Sequence, residues 1–193
     1  METTNRPHYE EWERLHNIGN ELKRLDAEIR EKPDKDMKKE LRKKRNKVMQ
    51  KIKYTRKRLE DILADLIPEG MRLSSIGADD LYDRLGETTA LWCIASGLKI
   101  SQIRNFLGHA KSIHSRGRVN SGQDFSPDDT VYLKILLVYA QARHSEIEPF
   151  ALTCIRSLES IDQPGPLGYE DFGRFVKLIE SIVAYHRYYG GSE

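Results

Sequence analysis

The residues with the clearest potential for chemistry form one short segment in the middle of the chain. Arg104, Asn105 and His109 lie within six consecutive positions. A histidine can move protons during RNA cleavage assisted by a 2′-hydroxyl, while an arginine steadies the phosphate. On a helix, however, residues 104 and 109 lie about 140° apart around the axis. The segment therefore indicates either a ribonuclease motif or a helix whose Arg104 faces solvent or RNA.

No other segment has the spacing of a catalytic or metal site. The six histidines are scattered, and no cysteine and histidine spacing matches a zinc site. The glycine pairs lack the following lysine and serine or threonine of a phosphate-binding loop, and no serine stands in a nucleophile elbow. We therefore predict no metal site and no cofactor. Because two fixed residue types at a set spacing arise often by chance, we also predict no catalytic residue in the segment from Arg104 to His109.

Basic side chains are concentrated in one segment, although the whole chain has a formal net charge of only +2. Residues 35–58 contain 13 lysines and arginines against two acidic residues, a net charge of +11. Such a segment attracts polyanions over about 8 Å at physiological salt. It also suits a solvated helix face that keeps a long hairpin soluble. The sequence leaves both interpretations open.

Other basic residues lie where a ligand would explain the charge. Arg116 and Arg118 flank a glycine in residues 115–122, which we predict to be an exposed loop able to reach a phosphate backbone. Lys134 and Arg143 stand among hydrophobic neighbours, where a charge must extend to the surface, pair or meet a ligand. Because these two positions are about 180° apart on a helix, they cannot form one tight patch without neighbouring helices.

Composition is typical of a globular intracellular protein. Of the 193 residues, 38% are hydrophobic and 32% charged, which suits one domain with an appendage. No apolar run approaches the roughly 20 residues of a membrane span, and the first residues do not resemble a signal peptide. The two cysteines lie in apolar stretches, as buried thiols of a reducing compartment do. We expect a cytoplasmic protein.

The spacing of apolar residues predicts an all-α fold, because they recur three or four positions apart and never with the period of a strand. Residues 1–70 are expected to form a charged antiparallel helical hairpin, with its second helix unbroken from about Asp36 to Ile67. Residues 71–193 are expected to form a small helical bundle. Its most apolar helix, from Pro127 to about Arg143, is predicted to be central. The predicted core includes Trp92, Ile103, Phe106, Leu136 and Tyr139.

Three blocks of the C-terminal part resemble one known family. Residues 98–106, LKISQIRNF, look like the Thr/Ser-Gln-Ile-Arg-Lys-Phe signature of the small subunit of type III-A CRISPR effector (Csm) complexes. Residues 132–143, YLKILLVYAQAR, are similar to that family's Leu-Lys-Pro-Lys-Leu-Ala-Tyr-Ala-Ala-Ala-Arg helix, and residues 172–191 resemble its glycine-ended tail. The blocks follow the family order. Asn105 and Ile135 depart from the family pattern, which commonly has a basic residue and a proline there.

The resemblance implies a small helical bundle that contacts guide (CRISPR) RNA and target RNA and stacks with further copies of itself. It also implies association with other Csm subunits, including the backbone and large signalling subunits, in antiviral defence, without nuclease activity of its own. Candidate RNA-contacting residues that match family motif positions are Gln102, Arg104, Lys134 and Arg143. Candidates added from charge and position are Lys111, Arg116 and Arg118.

Two other functions compete with this interpretation. The segment from Arg104 to His109 also resembles the motif of the HEPN ribonucleases, which are all-helical. A purely structural helical adaptor would need no RNA contact at all. Because the family resemblance lies in the bundle, we expect the bundle to carry most of any RNA binding, although the hairpin has the greater positive charge.

Overall fold

The computed structural model describes residues 9–31, 34–52, 54–118 and 122–193. Every regular element in these ranges is helical, which confirms the predicted all-α fold. The α-helices are α1 (Tyr9–Glu31), α2 (Lys35–Met49), α3 (Arg56–Leu66), α4 (Gly86–Ser96), α5 (Ile100–Arg118), α6 (Asp128–Arg143), α7 (Glu148–Glu159) and α8 (Gly165–Tyr188). Within the same ranges, no helix has both the length and the apolar character needed to cross a bilayer.

Helices α1 and α2 form the predicted antiparallel hairpin. The two helices pack together, and Leu22 of α1 and Val48 of α2 are buried. Arg45 Nε lies 2.7 Å from Asp26 Oδ1, which links the two helices. Arg45 Nη2 also donates a hydrogen bond to the Gly190 carbonyl at 2.9 Å. The hairpin is thereby joined to the C-terminal end of the chain.

The prediction of one unbroken second helix is wrong. Helix α2 ends at Met49, and α3 begins at Arg56 after Thr55, whose side-chain oxygen accepts a hydrogen bond from Arg58 N at 3.3 Å. Helix α3, on which Leu59 is buried, packs mainly on α7. A heptad pattern of apolar residues indicates that one face of a helix is buried, but it does not show which helix packs on that face. The domain boundary at residue 70 stays a prediction.

Helix α4 occupies the centre of the bundle. Every residue from Gly86 to Ile94 is buried, and both α7 and α8 pack on this helix. Gly86 allows α8 to approach closely, since a Cβ there would stand 2.1 Å from Ser181 Oγ. Gly97 ends the helix in the left-handed conformation, with φ of +83°, which a glycine adopts without steric cost.

Helix α6, which the sequence placed at the centre, lies at the edge of the bundle instead. It packs on α5 and α7 through a narrow stripe, and its buried residues are Thr130, Leu133 and Leu137. Its outward apolar side chains are between 46% and 61% exposed, and they are Val131, Tyr132, Ile135, Val138 and Tyr139. Because apolar residues surround much of α6, the sequence could not show which side would stay uncovered.

Of the predicted core residues, those on α4 and α5 are buried, whereas those on α6 are not fully buried. Trp92 and Ile103 are fully buried and Phe106 is 7% exposed, so these three predictions are confirmed. Leu136 is half-buried and packs against the edge of the core. Tyr139 is 61% exposed, and its placement in the core was wrong because α6 turns that side to solvent.

Protonation of His186 in α8 is expected to destabilise the fold. Its Nε2 donates a hydrogen bond to the Leu98 carbonyl at 2.9 Å, and its buried Nδ1 has no hydrogen-bond partner among the described residues. Burial lowers the pKa of His186 below its ordinary value of 6.5. Below about pH 6.5 the unfolded chain therefore binds a proton at this position more readily than the folded chain, so the free energy of unfolding should fall with falling pH.

Chemical denaturation at several pH values between about 7.5 and about 5 measures this effect. The variant His186→Gln retains a side-chain N–H donor but does not titrate. We expect its free energy of unfolding to fall less steeply over that range than the free energy of the unaltered protein. If the free energies of unfolding of the two proteins fell equally with pH, protonation of His186 would not be the cause of the loss of stability.

Candidate nucleic-acid interface

Helix α5 carries most of the residues that the sequence predicted to contact RNA. Its apolar side packs mainly on α8, with Ile103 and Phe106 buried. The Phe106 ring meets Phe150 and Phe175 edge to face, at centroid distances of 5.4 and 6.4 Å. This packing fixes the rotation of α5 about its axis. It therefore determines which polar residues of the helix face solvent.

Arg104 and Lys111 lie on one exposed stripe of α5, about two turns apart. Arg104 forms no ion pair with any residue that the structure describes. Lys111 Nζ lies 2.7 Å from Glu180 Oε1 of α8, but both side chains are about half exposed. An exposed pair of this kind contributes little energy and is readily exchanged for a phosphate. The two side chains thus form a cationic row open to a ligand.

A groove of about 250 Å³ separates the other side of α5 from α6. Gln102 and His109 line the groove on α5, and Tyr139 lines it on α6. Gln102 Oε1 accepts a hydrogen bond from Lys99 N at 3.2 Å, which leaves its amide N–H groups for a partner. Arg143 Nη1 donates to the Tyr139 hydroxyl at 2.9 Å. Arg143 thus contacts one of the residues that line the groove.

The side chains of Arg104 and His109 lie on different sides of α5. Arg104 belongs to the exposed row, whereas His109 lies in the groove with its ring 6.0 Å from that of Tyr132. Such a separation does not bring a proton donor and a phosphate-binding group to one substrate atom. Within this chain, the geometry gives no support to the ribonuclease hypothesis.

The loop predicted at residues 115–122 is wrong in its first half, because α5 continues to residue 118. Gly117 marks a close approach and not a turn, since a Cβ there would stand 2.7 Å from Tyr169 Cε2. Arg116 is 71% exposed and its Nη2 lies 4.0 Å from Asp129 Oδ1. The side chain of Arg118 lies outside the described part of the chain.

Lys134 lies apart from the other candidates on α6. It is half-buried, and it is about 160° around the helix from Leu136, which lines the groove. The structure thus places Gln102 in the groove, with Arg143 in contact with the lining residue Tyr139, and it places Arg104 and Lys111 in one row. It does not gather all the predicted residues into a single patch.

A second groove, of about 560 Å³ between α5 and α8, contains residues that the sequence did not single out. It continues from Lys111, and its further basic side chains are Arg174 and Lys177. The rings of His114 and Tyr169 stack beside them with centroids 4.8 Å apart. Basic groups next to aromatic rings can hold a phosphate and stack a base. The only signal in the sequence was the spacing of Arg174 and Lys177, which is also ordinary for a solvated helix face.

These features describe an all-α bundle whose basic groups are spread over two grooves and a row, which suits a partner larger than a small molecule. In the part of the chain that the structure describes, no three histidine, cysteine or acidic side chains are placed to hold a metal ion.

A family model described as Csm2 Type III-A matches residues 78–192, more than half of the chain. The chain belongs to this family, whose members are small subunits of the type III-A Csm complex. The match begins just ahead of α4 and includes α4 to α8, whereas α1 to α3 precede it. Comparison with curated proteins and with solved structures finds no match.

Proposed function

We propose that the chain acts as a non-catalytic subunit of a type III-A CRISPR interference complex, binding the backbone of the guide RNA–target RNA path. Its other partners would be further Csm subunits and additional copies of itself, in the cytoplasm. The observation that carries the proposal is the exposed row of Arg104 and Lys111 on α5, inside the region that matches the Csm2 family.

Contact with the RNA backbone suits this surface better than contact with base edges. A subunit that serves any guide sequence has to recognise charge and helix shape, while base pairing supplies the sequence specificity. Separate basic side chains on rigid helices provide such contacts. The row on α5 is held by the packing of Phe106, and Arg143 on α6 is held by its hydrogen bond to Tyr139.

A truncation at residue 70 cannot test where RNA binds, because it would remove α3 and uncover α7. Two triple variants, each of which removes three positive charges and leaves every helix in place, provide a better test. One replaces Arg104, Lys134 and Arg143 by alanine, and the other replaces the exposed α2 residues Lys39, Arg42 and Lys47 by alanine.

We expect the bundle variant to bind unrelated single-stranded RNAs more weakly than the hairpin variant. Each phosphate contact contributes about 0.7 to the slope of log affinity against log salt, so three lost contacts should reduce the slope by about 2. The hairpin variant should stay within about tenfold of the unaltered protein, which is 1.4 kcal/mol. Titrations at several salt concentrations measure both quantities, and the same samples should contain intact RNA with or without divalent metal.

The results separate the competing functions. Normal binding by the bundle variant together with lost binding by the hairpin variant would move the RNA site to α2. Absence of RNA binding by the unaltered protein would favour a structural adaptor. RNA cleavage that disappears in folded His109→Ala would restore the ribonuclease hypothesis.

A further inference from the structure

Helix α6 presents to solvent an apolar face that is not part of the core of the bundle. The side chains of Val131, Ile135 and Val138 are 46%, 59% and 58% exposed, and those of Tyr132 and Tyr139 are 51% and 61% exposed. Their spacing places them within about 120° of the helix circumference. An unbroken apolar stripe of this kind marks a surface that another molecule covers.

The valines and tyrosines of this face are arranged so that each valine position matches a tyrosine position when the helix is reversed. With Ile135 as the centre, Val131 and Tyr139 lie four residues to either side, and Tyr132 and Val138 lie three to either side. If two α6 helices pack antiparallel with Ile135 opposite Ile135, each valine of one copy faces a tyrosine of the other. A small side chain opposite a large one is the arrangement that lets two helix faces interdigitate.

Charges at the two ends of α6 agree with the same register. Exposed Asp128 stands at the first turn and exposed Arg143 at the last turn. In the antiparallel pair, Asp128 of each copy lies beside Arg143 of the other, so two ion pairs flank the apolar centre. A parallel pair would instead bring like charges together, which is unfavourable.

We propose that two copies of this chain pair through the exposed faces of α6, antiparallel about a twofold axis at Ile135. This inference rests on the part of the proposed function in which copies associate, and names the surface and its symmetry. It does not depend on RNA binding. A twofold contact closes on itself, so stacks of more than two copies would use a further surface.

The association is expected to be moderate, with a dissociation constant on the order of 10 μM, because one helix pair is small beside a standard interface. Sedimentation equilibrium of the full chain without RNA measures it. Ile135→Glu places two carboxylates on the axis and should weaken pairing by at least about tenfold. Leu167→Glu changes a side chain of similar exposure, 51%, on α8 and should leave pairing unchanged.

A charge exchange tests the direction of the pair. Asp128→Lys and Arg143→Glu should each weaken pairing by about tenfold, and the two changes together should restore it to within about threefold of the unaltered protein. Such recovery requires the antiparallel register. A monomer at about 100 μM, or equal loss from Ile135→Glu and Leu167→Glu, would overturn the proposal. Because RNA binding is measured separately, failure of pairing and failure of the RNA site give different results.

Discussion

Replacement of Phe106 by alanine is expected to lower the free energy of unfolding by about 3 to 5 kcal/mol. Phe106 is 7% exposed, and its ring packs edge to face on Phe150 and Phe175. Truncation removes this burial and leaves a cavity between α5, α7 and α8, which the rigid neighbouring rings cannot fill. Because the same contacts set the rotation of α5, the exposed row with Arg104 should become less ordered as well.

Urea denaturation measures the loss, and Leu167→Ala provides the matched control. Leu167 is also a large apolar residue but is 51% exposed, so its truncation should change the free energy of unfolding by no more than about 0.5 kcal/mol. A loss below about 1 kcal/mol for Phe106→Ala would mean that this face of α5 is not a tightly packed part of the core.

Replacement of Glu87 by alanine is expected to cost about 3 kcal/mol and to loosen the hairpin from the bundle. Glu87 lies in α4 and is only 2% exposed. It accepts hydrogen bonds from Trp12 Nε1 and His16 Nδ1 of α1, each at 2.8 Å, and from the Tyr189 hydroxyl. Burial and this contact raise the pKa of Tyr189, which keeps its hydroxyl protonated as a donor. Without the carboxylate, the buried hydroxyl loses this acceptor.

Which helices lose protection from hydrogen exchange distinguishes a loosened hairpin from a general loss of stability. Hydrogen exchange should increase first in α1 and α2, because their link through Trp12 and His16 is broken while the α4–α8 packing remains. Glu87→Gln retains an acceptor oxygen and should lose roughly half as much stability. Exchange that increases equally in every helix, or no loss for Glu87→Ala, would show that this carboxylate does not hold the hairpin.

The amino-acid sequence was a reliable guide to local structure. Apolar spacing predicted the helices, and the hairpin of α1 and α2 was predicted correctly. These features depend on backbone conformation and on residues close in sequence. The burial of Trp92, Ile103 and Phe106 was predictable for the same reason, since each lies on the only apolar side of its helix or in a wholly apolar segment.

The sequence was a poor guide wherever several packing partners were available. It gave α6 the central position and joined α3 to α2, because it could not show that α4 fills the centre and that α7 covers α3. It also gave no sign of Glu87, whose donors stand at least 71 residues away in the chain. The residues next to a carboxylate in the sequence do not show that hydrogen-bond donors from distant segments will reach it.

The sequence by itself determined the helical fold, the family and the types of residue available for an RNA backbone, because periodicity, capping and motifs are properties of short segments. Only the tertiary structure decided which of those residues share a surface. Rotation of each helix is fixed by contacts between distant segments, so packing left the row of Arg104 and Lys111 exposed and placed Gln102 in the groove between α5 and α6. Arg143 contacts this groove through the hydroxyl of Tyr139. The same packing placed His109 in the groove between α5 and α6 and left one face of α6 open for a partner.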